Sequence, residues 1–293
     1  MKKPAAEIAI DEGLVRGLLG VQVPELASHP LRKVGEGWDN EIWRVGDELA
    51  LRLPRRQAGV ALIAHEQCWL PVLAPRLPLP VPVPLVVGRP TSAYPWPWSV
   101  VPWLPGRPLG ARPGTGAMAA ALGAFLRALH QPAPVEAPAN PFRGGPLSAR
   151  AARLATALEA LAGKLPGATL DALRTRCAQL MTGPPRPGPA LWLHGDPHPL
   201  NLVVEGDALV GVIDFGDLTA GDPASDLAVA WMAFEPEARA TFREARGPVD
   251  DETWARARGW ALAIGASLLA RSDDAPELEA VARATLRRAL DGS

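Results

Sequence analysis

Paired cysteines, long apolar runs and an excess of charge of either sign are all missing from this 293-residue chain, and each absence removes a class of function. Cys68 and Cys177 lie far apart, with neither the paired spacing of a zinc site nor that of a redox motif, so each is expected to be a buried thiol in a reducing compartment. No stretch approaches the roughly 20 apolar residues of a membrane-spanning helix. The opening MKKPAAEIAIDEG carries Lys2 and Lys3, but Asp11 and Glu12 interrupt it before an apolar run of signal-peptide length develops, and the expectation is a cytoplasmic protein. A formal net charge of −1 provides no basic field for a nucleic-acid backbone or an anionic membrane, which leaves small molecules as the expected partners. No internal repeat is visible, and the scarcity of lysine beside arginine, alanine and proline reads as a compositional bias without mechanistic content.

What is present is a hydrophobic fraction of 48%, enough to exclude disorder and to fill one large domain or two lobes, each with its own core. From Leu31 to Leu53, short apolar runs alternate with turn residues (LRKVGEGWDN, EIWRV, ELALRL), the pattern of a three-stranded antiparallel meander. Residues 59–74 have helical apolar spacing, which the following RLPLPVPVP cannot continue, and two more strands are expected near 85–87 and 98–103. Beyond Gly106 the texture becomes helical. GAMAAALGAFLRALH places Met118, Leu122, Phe125, Leu126 and Leu129 on one stripe, and further helices are expected over 148–163, 168–182, 223–234, 250–272 and 276–290. Only NLVV at 201–204 and LVGVIDF at 209–215 read as strands in this half, joined by the turn Glu205-Gly206-Asp207. The proline- and glycine-rich segments 132–147 and 183–190 read as surface connectors. The expected class is α+β, with a β-rich lobe over 1–105 and a helical lobe over 106–293.

Chemistry concentrates in LWLHGDPHPLNLVVEGDALVGVIDFGD, which sets Asp196 on a loop, Asn201 five residues later, and Asp214 at the end of the second hairpin strand. Phosphoryl transfer to an alcohol needs one carboxylate to orient the hydroxyl and take its proton, and hard oxygen ligands for Mg²⁺ on the transferring phosphates. Asp196 suits the first task; Asn201 and Asp214 suit the second. HGDPHPLN and IDFGD, in this order and with a hairpin between them, resemble the aminoglycoside phosphotransferase family within the wider protein-kinase-like superfamily.

The resemblance implies a two-lobed protein-kinase-like fold, ATP or GTP as phosphoryl donor, Mg²⁺, and a small-molecule hydroxyl as acceptor. It places Gly35 and Gly37 in the turn over the nucleotide phosphates, and Arg52 on the third strand where the family usually has lysine. Arginine is always charged and offers a planar fork of donors, so it can hold phosphate or carboxylate oxygens bidentately. Glu66 on the following helix would be its carboxylate partner. The Pro102 carbonyl and the Leu104 amide would bind the base edge of the nucleotide, with Val101 behind it. Asp226 resembles a residue that braces the catalytic loop, and Asp222 and Asp226 both sit where a helix start has free amides. His194 reads as a bracing residue, His198 as facing either solvent or substrate, and Asp217 as either a turn cap or a support for the metal motif.

Acceptor class is open at this level. A mild acidic bias of the second half, with Glu235, Glu237, Asp250, Asp251, Asp273 and Asp274, suits a polycationic aminoglycoside, whereas Trp231, Trp254 and Trp260 would suit a large apolar macrolide if they were not core. Metabolite alcohols and sugars, and a nucleotide-binding regulatory pseudokinase, are the alternatives. A protein acceptor is disfavoured, because only about seven residues separate Gly216 from the next helical pattern, too few for a peptide platform.

Overall fold

In the computed structural model, residues 4–181 and 186–291 are described, so Met1 to Lys3 and the first part of the 183–190 connector lie outside the described residues. The Asp-Glu pair that interrupts the opening apolar run is itself a helix start. Asp11 Oδ1 accepts from the Leu14 amide at 2.8 Å, and helix α1 (Glu12–Gln22) buries Val15, Leu18 and Leu19 at helical spacing. This helix was not expected from the sequence pattern, because its apolar face is short and becomes evident only against the sheet it covers.

That sheet has the order β1-β2-β3-β5-β4, formed by β1 (Leu31–Glu36), β2 (Asn40–Val45), β3 (Leu49–Pro54), β4 (Val86–Gly88) and β5 (Trp98–Pro102). All its pairings are antiparallel. Leu51, Leu53, Trp43, Val45, Trp98 and Val100 form one core with α1. The two-residue side-chain period of β3 turns Arg52, between Leu51 and Leu53, to the other face, toward helix α2 (Val60–Leu73). Leu70 and Leu73 at the end of α2 and Val81 beyond it pack into a second core, shared with the C-terminal helices, and the Trp69 ring lies 4.8 Å from that of Trp192.

The second core surrounds α3 (Gly116–Leu129), where Thr115 caps the Met118 amide and the whole Met118 to Leu129 stripe is buried. Around it stand α4 (Ala151–Ala160), α5 (Gly167–Leu180), α6 (Ala224–Leu227), α7 (Val229–Ala233), α8 (Pro236–Arg246), α9 (Asp251–Leu269) and α10 (Pro276–Leu290). The single helix expected over 223–234 is two short ones, and α8 was not anticipated at all. Pro236 occupies its first turn, a position that tolerates proline, and what anchors it is α3: Phe242 is buried, and a Cβ on Gly123 would approach the Phe242 carbonyl to 2.6 Å. Trp231, Trp254 and Trp260 are buried core residues. Cys177 is buried, but Cys68 is exposed on α2, contrary to the expectation for both thiols.

Strand content in this half exceeds the expected hairpin. β8 (Leu202–Glu205) and β9 (Ala208–Val212) form the hairpin, β6 (Arg107–Pro108) adds to it through β8, and β7 (Leu191–Leu193) pairs antiparallel with β10 (Thr219–Gly221). The last pair sets Leu193 opposite Thr219, so the segments that follow the first strand and precede the second are side by side. Among the described residues, no helix is long and apolar enough to cross a membrane.

Phe125, fully buried on α3, meets the Phe215 ring edge-on at 6.5 Å and so supports the segment next to Asp214 from below. Phe125→Ala should cost about 3–5 kcal/mol of stability; a fall in the urea midpoint of this size checks it.

Candidate active site

The candidate catalytic loop begins where β7 ends. Gly195 has φ +88°, and a Cβ there would stand 2.0 Å from the Asp217 carbonyl oxygen, so the backbone turn toward Asp196 admits only glycine. The loop is held through its main chain. Asp226, fully buried on α6, accepts from the His194 amide at 2.8 Å and the Gly195 amide at 3.0 Å. Its expected cap role is thus split: Asp222 does accept from the Ala224 amide (3.0 Å) and pairs with Arg256 (2.7 Å), whereas the two amides that Asp226 satisfies belong to the catalytic loop.

His130 Nε2 is 3.1 Å from Asp226 Oδ2, and Arg246, which can only donate, faces Nδ1 at 3.3 Å. The proton of His130 therefore sits on Nε2 and is donated to Asp226. Burial lowers the pKa of His130, Arg246 and Arg186 add to that, and Asp226 opposes it. His194 places Nε2 3.0 Å from the Ile213 carbonyl, so Nε2 donates and Nδ1 accepts from the Asp196 amide at 3.2 Å, with the ring against Phe215.

Asn201 is tied to both sides of the site. Its Nδ2 donates to the Asp196 carbonyl at 2.9 Å, and its own carbonyl accepts from the Ile213 amide at 3.0 Å. Asp214 lies two residues beyond the end of β9 rather than on the strand, with φ 65° and ψ 69°. Among the described residues it is the only non-glycine with positive φ, a conformation that ordinarily costs about 1–3 kcal/mol and that clusters at functional sites.

Arg52 Nη2 stands 2.8 Å from Glu66 Oε1 and 3.0 Å from Asp214 Oδ1. Burial alone would lower the pKa of Arg52, but Glu66 and Asp214 outweigh it and raise it. Burial pushes the Glu66 carboxyl up to about 7, with Asp214 adding to the rise and Arg52 opposing it. One geometry explains both directions: the guanidinium has two carboxylates to itself, whereas Glu66 shares its cation and has almost no water.

These groups face a cavity of about 900 Å³. Arg52, Asp196, Asn201 and Asp214 are on its wall, with Ile42 and Ile213 beside them and the β1–β2 turn from Gly37 to Asn40 above. Gly37 closes that turn by donating to the Asn40 carbonyl at 2.8 Å, and Arg56 holds Asp39 at 2.6 Å. His198 and Asp217 also line the cavity, so His198 faces it and not the outer surface. The opposite wall is the α9–α10 turn, with Arg271, Asp274, Glu277 and Leu278. Gly35, Glu66, Val101, Pro102 and Leu104 are not on this wall. Gly35 lies on β1 opposite Ile42, Val101 is buried opposite Ala50, Pro102 pairs with Leu49, and the Leu104 side chain covers Gly211 of β9. Of the acidic residues considered for an acceptor cleft, only Asp274 reaches the cavity. Glu235 pairs with Arg287 and Arg288, Asp250 caps α9, and Asp273 binds Lys164.

Sequence reasoning missed a whole side of the site. The connector 132–147, expected to be a surface loop, runs across the exit of the catalytic loop. Asn140 Nδ2 donates to Asp217 Oδ1 at 2.7 Å, Arg143 Nε to the Gly195 carbonyl at 2.5 Å, and Arg143 Nη2 to Asp196 Oδ1 at 2.7 Å. Burial raises the pKa of Asp196, but Arg143, His198 and His194 outweigh it and hold the carboxyl below its usual range. Burial raises that of Asp217, and Asp196 adds to the rise. No motif in PANPFRGG announces these contacts, since they depend on where the chain passes and not on local spacing.

Because native His130 resists the proton that the unfolded chain takes up near its ordinary pKa of 6.5, its contribution to stability should be full above that pH and fall below it, against an opposite trend from Glu66, whose carboxyl, raised to about 7, takes up its proton first in the native state. His130→Gln, which can still donate to Asp226, should remove the His130 part, leaving the fall due to His65, whose pKa burial also lowers, and the opposing rise due to Glu66. Urea midpoints measured from about pH 5 to pH 8 decide the matter.

A model of the phosphotransferase enzyme family matches residues 30–260. Among solved structures, the GDP complex of aminoglycoside 2'-phosphotransferase-IIIa is similar with a TM-score of 0.72 at 20% identity, covering 96% of this chain and 99% of that one. The macrolide 2'-phosphotransferase MphH from Brachybacterium faecium is similar with a TM-score of 0.59 at 22% identity, covering 94% and 97%. The streptomycin-ATP complex of APH(2")-IIa has a TM-score of 0.57 at 16% identity, covering 96% and 97%. No curated protein matches the chain. With its α+β, kinase-like architecture and a family match over most of its length, the chain belongs to the phosphotransferase enzyme family.

Proposed function

We propose that this enzyme transfers the γ-phosphoryl group of ATP or GTP to a hydroxyl of a small molecule. The observation that carries this reading is the convergence of Arg52, Asp196, Asn201 and Asp214 on one cavity from three separate elements. The acceptor oxygen attacks the γ-phosphorus, the bond from that phosphorus to the β-phosphate oxygen breaks, and Asp196 receives the hydroxyl proton. Arg52 holds phosphate oxygens from the β3 side, oriented by Glu66. Gly37 leaves room for main-chain approach at the β1–β2 turn, and the segment from Pro102 to Leu104 would bind the base.

Asn201 and Asp214 fit Mg²⁺. The amide nitrogen of Asn201 is committed to the Asp196 carbonyl, which leaves Oδ1 as its ligating atom, and the Asp214 side chain is half-exposed. Among the described residues no cluster of three His, Cys, Asp or Glu could hold a metal, in keeping with an ion completed by phosphate oxygens and water. When bound, Mg²⁺ neutralises charge on the transferring phosphates.

The neighbouring structures include kanamycin and streptomycin complexes and a macrolide enzyme, which favour an antibiotic acceptor. Asp217, Asp274 and Glu277 face the cavity together with Trp38 and Leu278, a lining suited to an amine-bearing molecule with apolar surface.

Release of ADP or GDP should be stimulated by at least one member of a panel of aminoglycosides, macrolides, sugars and amino-alcohols. Asp196→Asn should lower that turnover by about 10²–10⁴-fold with nucleotide affinity nearly intact. Near-normal turnover in the folded variant would overturn the assignment of the base, and nucleotide binding without turnover across the whole panel would favour a regulatory module. Arg52→Ala should lose about 1.5–3 kcal/mol in kcat/KM, and Glu66→Ala should add little on top of it. Fully additive losses in that double-mutant cycle would show that the pair does not act through one contact.

A further inference from the structure

Arg143 bonds both the main chain and the side chain at the tip of the proposed catalytic loop. Its Nε donates to the Gly195 carbonyl at 2.5 Å and its Nη2 to Asp196 Oδ1 at 2.7 Å. A planar guanidinium that bonds two adjacent residues in this way fixes the carboxylate relative to its own backbone. With Oδ1 committed, Oδ2 is the oxygen left beside His198, whose Nε2 is 3.5 Å away on the cavity wall.

Arg143 itself is not on that wall, and its side chain is 15% exposed. Its guanidinium bonds Asp196, and the charges of Asp217 and Asp226 also favour a cation there. The segment that carries it is pinned on both sides. The Pro138 carbonyl accepts from Thr219 Oγ1 at 2.8 Å, Asn140 binds Asp217, and the Gly144 carbonyl accepts from the Asp222 amide at 2.8 Å. A Cβ on Gly221 would approach the Gly144 oxygen to 2.2 Å, so β10 and this strap are in main-chain contact. Arg153 stacks on Phe142 at 4.0 Å. The strap therefore has little freedom, and the position of Arg143 is set before any substrate binds.

We propose that Arg143 is a positioning residue for phosphoryl transfer: it holds Asp196 in a single orientation, with Oδ2 directed at the hydroxyl of the acceptor. This rests on Asp196 being the base, as proposed above. Arg143 touches neither substrate, so its effect belongs in the rate of the chemical step and not in binding. Orientation of a reacting group by a neighbour that fixes its rotamer accounts for effects of roughly ten- to a hundredfold.

The test compares Arg143→Ala, Arg143→Lys, Asp196→Asn and the double variant Arg143→Ala/Asp196→Asn in the full chain. Nucleoside diphosphate release is measured with the best alcohol of the panel and also with water as the only acceptor. Arg143→Ala should lower kcat by about ten- to a hundredfold while acceptor KM and nucleotide Kd move less than about threefold. Arg143→Lys, which keeps the charge but can make only one of the two contacts, should recover part of the loss, and ethylguanidinium should restore part of the activity of Arg143→Ala. In the Asp196→Asn background the alanine change should add almost nothing, because both act through one carboxylate.

A kcat within about twofold of wild type for Arg143→Ala, with Asp196→Asn slow, overturns the inference alone. So does a loss confined to KM, or a full multiplicative loss in the double variant. Near-wild-type turnover by Asp196→Asn overturns the assignment of the base, and the inference with it. If Arg143→Ala does not fold, the same cycle is read on Arg143→Lys, where a kcat equal to wild type in both acceptors overturns the proposal and a selective loss in kcat supports it.

Discussion

A carboxylate with no access to water, that of Asp226, holds the catalytic loop in place. Burying an ionised carboxylate costs several kcal/mol unless its lone pairs are occupied. Here the His194 and Gly195 amides and the His130 ring meet that need, and each of them is thereby fixed. The arrangement is mutual. Two loop amides that no strand partner satisfies would be unpaired without Asp226, and the carboxylate would be unpaired without them. Gly195 can then turn into positive φ, and Asp196 emerges at the cavity in one place.

From that anchor the site is assembled by three further couplings. His194 passes the position of the loop to the Ile213 carbonyl, and Asn201 receives the Ile213 amide, so the segment carrying Asp214 is registered on the segment carrying Asp196. The β7–β10 pair does the same farther out. Arg52 then joins the N-terminal sheet to this assembly, because its guanidinium is shared between Glu66 on α2 and Asp214. The close packing of Trp69 on Trp192 and the inclusion of Leu70 and Leu73 in the C-terminal core tie α2 to the C-terminal helices as well as to the sheet.

The 138–146 strap adds a constraint of a different kind. It is rich in proline and glycine and has almost no regular structure, yet its carbonyls and side chains meet Thr219, Asp222, Asp217, Gly195 and Asp196. The strap is mostly half-exposed or exposed, and the polar groups it turns inward find partners on the segments around Gly195, Asp217 and Asp222. The result is an Asp196 carboxylate that is half-buried and held on one side by a cation, with its second oxygen beside His198 on the cavity wall.

Much of this was legible in the sequence by itself. The meander, the stripe from Met118 to Leu129 and the hairpin from 202 to 212 follow from side-chain period and turn residues, which are local properties. Asp196, Asn201 and Asp214 stood out as candidates because phosphoryl transfer needs groups of those types, and all three line one cavity. What local pattern could not supply was everything that depends on distant partners. Helix α8 has a weak apolar face and exists as an element of the fold by packing on α3; the two loop amides that Asp226 satisfies, expected only as a brace by resemblance, are named by the structure; Arg143 looks like a solvated loop residue until the strap crosses Asp196. The sequence by itself determined the fold class and the candidate groups, because period and motif spacing act within a few residues; only the tertiary structure decided how those groups are held, because a buried hydrogen bond or ion pair gains its strength from water excluded by segments 30 to 160 residues away.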